Sequence, residues 1–143
     1  MIDSILLVDD EDLFHLVFED ACSVLDISLS LNCVESADKA ESLFSKWITG
    51  PEQKPECMFI DLNIIGSSFD GVELIRKLRA AYDYRIVAGI ISSSSDTTEQ
   101  QRAMEAGAQF WIVKSDQIEP RLKAFKSDFE AFRSNSIPFR VYE

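Results

Sequence analysis

The chain alternates between short, continuous apolar runs and longer stretches in which apolar residues return every three or four positions. Ile5-Leu6-Leu7-Val8, Cys57-Met58-Phe59-Ile60, Ile86-Val87-Ala88-Gly89-Ile90-Ile91 and Phe110-Trp111-Ile112-Val113 are runs of the first kind. Their length suits strands buried on both faces. Leu29, Leu31, Cys33 and Val34 add one more strand after the first run. Between the strands the period becomes helical. Leu13, Leu16, Val17, Asp20, Ala21 and Leu25 trace a first helix with one apolar face. Ala37, Ala40, Phe44 and Trp47 form the stripe of a second, with Ser36 placed to cap it. Asp70 caps a third helix, which turns Val72, Ile75 and Leu78 inward.

The fourth helix is short and polar. Asp96 and Glu99 form a capping box at its start, and Gly107, in Ala106-Gly107-Ala108, suits a left-handed cap at its end. The fifth carries Ile118, Leu122, Phe125, Phe129 and Phe132, with Pro120 in its first turn, where a missing N–H matters least. Gly50-Pro51-Glu52-Gln53-Lys54-Pro55 is the clearest loop.

Strand and helix repeated five times predict one parallel sheet with helices on both faces. In such sheets the working site lies at the carboxyl ends of the strands. Here the first strand runs into Asp9-Asp10-Glu11-Asp12 and the central strand stops on Asp61. The next ends on Ser92 and the last on Lys114.

Composition narrows the picture. The 143 residues are read as one domain over 1–134, followed by a tail, 135–143, whose Ile137 and Phe139 pack back on it. A net charge of −11 argues against direct contact with nucleic acid or with an anionic membrane surface. No apolar run reaches the length of a membrane span, and the opening residues do not resemble a signal peptide, so a cytoplasmic protein is expected. Cys22, Cys33 and Cys57 sit singly in apolar segments and read as reduced, buried thiols. His15, the sole histidine, is expected on the polar side of the first helix.

Three carboxylates gathered at one sheet end repel each other unless a cation joins them, and a hard divalent ion such as Mg2+ fits oxygen ligands best. Lys114 adds a fixed positive charge, and Ser92 a hydroxyl that can donate to a phosphate oxygen. Together they suit an aspartyl phosphate, with Asp61 as the nucleophile. A carboxylate is already ionised, so no general base is needed.

These residues, in this order, resemble a response-regulator receiver domain of a two-component system, from about Ser4 to Arg133. Asp9 and Asp10 match the family's acidic pair, Asp61 its phospho-acceptor and Asp70-Gly71-Val72-Glu73-Leu74 the segment after it. Ser92 matches the switch hydroxyl, and Lys114 the family's lysine. The resemblance implies a flavodoxin-like, doubly wound, five-stranded parallel sheet of order 2-1-3-4-5 with five helices. It also implies that Asp10 and Asp61 bind Mg2+ directly, Asp9 through water, and Asn63 through its backbone carbonyl. A histidine kinase or phosphotransfer protein would supply the phosphoryl group. Ser92 would then move toward it, and Trp111 would turn inward. The face formed by helix four, strand five and helix five would repack to bind a downstream protein or a second copy. Ser115 stands after Lys114 where the family usually has a proline in a cis peptide, so a trans peptide is expected.

Two other readings stand beside this one. A degenerate receiver would bind a partner regardless of phosphorylation. A multiple-turnover magnesium phosphatase would resemble an Asp-x-Asp at the central strand, but this chain has Asp61-Leu62-Asn63 and lacks the second carboxylate.

Overall fold

The computed structural model describes residues 2–50, 53–115 and 117–143, and the backbone alone of Leu29. Pro51 and Glu52 of the expected loop lie outside the described residues. The order is β1 (Ile2–Val8), α1 (Asp12–Val24), β2 (Ser28–Val34), α2 (Ala37–Thr49), β3 (Cys57–Asp61) and α3 (Gly71–Tyr82). Then come β4 (Val87–Ser92), α4 (Thr97–Ala106), β5 (Phe110–Val113), α5 (Glu119–Arg133) and β6 (Arg140–Tyr142). All strands pair in parallel, in the order β2-β1-β3-β4-β5-β6. The expected five-stranded order is present, with one strand added at its edge.

The sheet divides the core into two layers. On one face α2, α3 and α4 bury Phe44, Trp47, Ile75, Leu78 and Ala103 against Met58, Ile90 and Trp111. On the other, α1 and α5 bury Phe18, Phe125 and Phe132 against Phe59 and Phe110. The Phe110 and Phe125 rings lie 4.5 Å apart, centroid to centroid. Strands buried on both sides have no polar face, which is why they read as unbroken apolar runs.

The caps follow their residue types. Ser36 accepts from the Lys39 N–H at 3.1 Å, and Asp70 from the Glu73 N–H at 2.9 Å. Gly107 closes α4 at a φ of 105°, in the left-handed region. Asp96 accepts from the Thr98 N–H at 2.8 Å, but Glu99 turns to Arg102 instead of closing the expected box.

Three further expectations need correction. In α1 the buried residues are Phe14, Phe18, Ala21 and Cys22, whereas Leu13 and Leu16 are 74% and 64% exposed. The stretch Leu13-Phe14-His15-Leu16-Val17-Phe18 is apolar nearly all round. The larger phenylalanines take the core, because burying them removes more apolar area from water. Cys33, expected to be buried, is exposed near the sheet edge. The tail is more than a tail: Arg140–Tyr142 pair with Phe110, Trp111 and Ile112. Asp128 on α5 fastens β6, accepting from Arg140 at 2.8 Å and from the Tyr142 hydroxyl at 2.6 Å. Phe139 packs on one core layer and Ile137 on the other. No described helix is long and apolar enough to cross a membrane.

Candidate functional site

β1, β3 and β5 bring the chemistry to one end of the sheet. Asp9 follows β1 directly, Asp61 is the last residue of β3, and Lys114 follows β5. The Lys114 nitrogen lies 2.7 Å from Asp9 Oδ2, 3.0 Å from Glu11 Oε1 and 3.4 Å from Asp61 Oδ2. It also lies 4.5 Å from the centre of the Phe14 ring, whose face favours a cation. The lysine backbone is held as well, its N–H donating to the Ser92 carbonyl at 2.8 Å. The Lys114–Ser115 peptide is trans, as expected.

Asp9 is fully buried. Its Oδ1 accepts from the Glu11 N–H at 2.8 Å, while its Oδ2 faces Lys114 off the direction a hydrogen bond requires and accepts none. Burial pushes the Asp61 pKa up; Lys114 pulls it back, Asp9 and Asp10 push it up again, and it settles at about 6. Burial alone would lower the Lys114 pKa, but Asp9, Asp61 and Glu11 outweigh it, and the net shift is upward. One ammonium therefore does not neutralise the four acids around it.

The structure brings Asp9, Glu11 and Asp61 together, with oxygen atoms within 4.8 Å of one another, a spacing that could hold a metal ion. The donor set fits a hard divalent cation: all ligands are oxygen, charge is in excess, and one buried oxygen accepts no hydrogen bond. Asp10 is half-buried and outside this trio, although its charge reaches Asp61. Asn63 is exposed just past β3. Ser92 is buried at the end of β4, where its Oγ accepts from the Ser94 N–H at 3.1 Å. Trp111, fully buried on β5, donates its indole N–H to the Ser94 carbonyl at 2.9 Å. Ser94 is thus held at its N–H by Ser92 and at its carbonyl by Trp111.

Sequence reasoning missed two participants. Glu11 was one of four consecutive acids, and spacing alone could not select it. His15 stands half-buried, not on an idle surface, and its Nε2 donates to the Asp9 carbonyl at 2.6 Å.

Gly71 explains how the acceptor loop is closed. Its N–H donates to the Leu62 carbonyl at 2.8 Å, and a Cβ there would stand 2.2 Å from the Asp61 carbonyl oxygen. Gly71→Ala is expected to lower stability by about 1–3 kcal/mol, measured by urea unfolding, because the obstacle is backbone and cannot step aside. A variant as stable as the parent would show that α3 can slide away from β3.

The sequence matches the family described as the response regulator receiver domain over residues 5–125. A search of curated proteins found no match. Among solved structures, the fold is similar to NtrX from Brucella abortus, with a TM-score of 0.77 and 21% identity over 94% of this chain. The chain spans 28% of the length of NtrX. It is also similar to the phosphorylated cyanobacterial phytochrome response regulator RcpA, with a TM-score of 0.72 and 16% identity over 96% of this chain and 98% of that one. The response regulator domain of Thermotoga maritima CheB gives a TM-score of 0.70 and 17% identity, over 94% of this chain and 98% of its own. At these identities the structural likeness speaks for the fold. The family match covers most of the sequence and takes in every strand-end residue of the acidic cluster, so this chain belongs to the response regulator receiver domain family.

Proposed function

We propose that this receiver takes a phosphoryl group on Asp61 from a histidine kinase or phosphotransfer protein. The observation that carries this reading is the Lys114 ammonium standing between Asp9, Glu11 and Asp61 at the carboxyl ends of β1, β3 and β5. One Asp61 oxygen forms the new bond to phosphorus while the bond from phosphorus to the donor breaks, and that electron pair leaves with the donor. Lys114 is within reach of the incoming phosphoryl oxygens, and Ser92 supplies a hydroxyl near them. Asp10, Asp61 and the Asn63 carbonyl would hold Mg2+, with Asp9 bound through water. When bound, the ion would spread the negative charge of the transferring group.

The output would travel through Ser94. When Ser92 Oγ turns to a phosphoryl oxygen, the Ser94 N–H loses its acceptor and the loop before α4 shifts. Trp111, bonded to the carbonyl of the same residue, feels that shift. The face made by α4, β5 and α5, now edged by β6, would bind a downstream protein or a second copy, in the cytoplasm. Such a device is a two-state surface biased by a local change of charge.

The test is intact mass after incubation with acetyl phosphate. One added phosphoryl group that needs Mg2+ and is absent in Asp61→Ala is expected. A parent chain that stays unmodified would sink the proposal.

A second reading has an observation of its own. Trp111 is already buried and tied to Ser94, with Val141 of β6 paired beside it. A fixed indole fits a module that binds its partner regardless of phosphorylation. Partner affinity that rises with the phosphodonor would remove this reading.

A further inference from the structure

We infer that Glu11 is a positioning residue for Lys114, holding the ammonium in a resting place that competes with its turning to a phosphoryl group on Asp61. The consequence for transfer rests on Asp61 being the acceptor; the restraint itself does not. Of the three carboxylates around the ammonium, Glu11 is the one to which Lys114 donates a directed hydrogen bond, at 3.0 Å. Asp9 and Asp61 face the same nitrogen as ion-pair partners, and Asp61 is the farthest of the three, at 3.4 Å.

Glu11 is also the member with the most freedom to turn away, its side chain being 61% exposed while that of Asp9 is fully buried. Its backbone explains why it stays. The Glu11 N–H donates to Asp9 Oδ1 at 2.8 Å, and its carbonyl accepts from the His15 N–H at 3.1 Å in the first turn of α1. His15 Nε2 braces the same loop through the Asp9 carbonyl. The side chain is therefore launched over the carboxylate cluster from a fixed base.

An ammonium has three N–H donors, and one aimed at Glu11 is not available to a phosphoryl oxygen. Charge-assisted hydrogen bonds are strong enough for this competition to matter. Glu11 then acts in two directions. Its hydrogen bond slows transfer by retaining Lys114, while its charge draws a divalent cation to the cluster.

Two substitutions separate these effects. Glu11→Asp keeps the charge but shortens the reach, and Glu11→Gln keeps the reach but removes the charge. With Mg2+ saturating, the rate of phosphorylation by acetyl phosphate should rise roughly three- to tenfold in both. The Mg2+ dissociation constant, by calorimetry, should rise roughly three- to tenfold in Glu11→Gln and stay near the parent value in Glu11→Asp. Asp12→Asn removes a charge one residue further on and should move neither.

A third measurement needs no phosphorylation. In the metal-free chain, NMR should show scalar coupling between the Lys114 ammonium nitrogen and the Glu11 carboxylate carbon, lost in Glu11→Asp. Coupling to Asp61 or Asp9 instead, or rates unchanged in both Glu11 variants, would overturn the inference. Coupling to Glu11 in a chain that no donor phosphorylates would uphold the restraint and overturn the proposed function alone.

Discussion

Asp61→Asn is expected to stabilise the metal-free protein by about 3 kcal/mol at pH 8 and by almost nothing at pH 4. The argument starts from the carboxyl group, whose pKa rises from 3.8 in the unfolded chain to about 6 in the folded one, through burial first and the neighbouring acids Asp9 and Asp10 after it. Below pH 4 the group is protonated in both states and does not bear on folding. Between pH 4 and pH 6 the unfolded chain has lost the proton and the folded one keeps it, so stability falls as pH rises. Above pH 6 both forms are ionised and the full penalty is present. Asn resembles the protonated acid and escapes it.

Urea unfolding of parent and variant in EDTA, across this range, reads the gap directly. Adding Mg2+ should narrow it, because a ligand that binds the folded state adds stability by mass action, and the parent has the stronger site. A gap independent of pH would mean that Asp61 is not crowded by its neighbours. It would weaken the case for a cation at this site. Function and stability are opposed here: the acids whose spacing could hold a cation are the ones that repel each other without it.

The same acids show how far the sequence could be read. Asp61 and Lys114 were legible because each ends an unbroken apolar run, and parallel strands deliver their carboxyl ends to one place. Such runs cannot show which acid of Asp9-Asp10-Glu11-Asp12 turns inward, since one residue of backbone rotation in the loop decides it. The phase of α1 was lost for a related reason. Leu13, Phe14, Leu16, Val17 and Phe18 leave no clear polar side, and only packing against Phe59 on the sheet selects the phenylalanines. β6 was hidden by its length. Three residues give no period, and Arg140 belongs there only because Asp128, twelve positions earlier, waits on α5. By contrast, Ser36, Asp70 and Gly107 were readable singly, because each acts on its own backbone neighbours.

Trp111→Ala is expected to lower stability by about 3–5 kcal/mol and to loosen α4 more than any other helix. The indole is the largest fully buried side chain, and removing it opens a cavity that the sheet around it cannot fill. The effect should concentrate on α4 because that helix has little else to hold it. Its only buried residues are Ala103 and Ala106, small side chains that share one core layer with the indole. From the middle of the helix Arg102 reaches Asp70, and that half-buried ion pair is a weak substitute for packing.

Trp111→Phe keeps most of the volume and loses the N–H bond to the Ser94 carbonyl, so a loss of roughly 1–2 kcal/mol is expected. Hydrogen exchange then separates packing from coupling. Amides of α4 should exchange faster in Trp111→Ala, whereas in Trp111→Phe the change should centre on Ser94 and the loop before α4. If both variants protect α4 as the parent does, Trp111 is only core, and a phosphorylation signal would need another route from Ser92 to the surface.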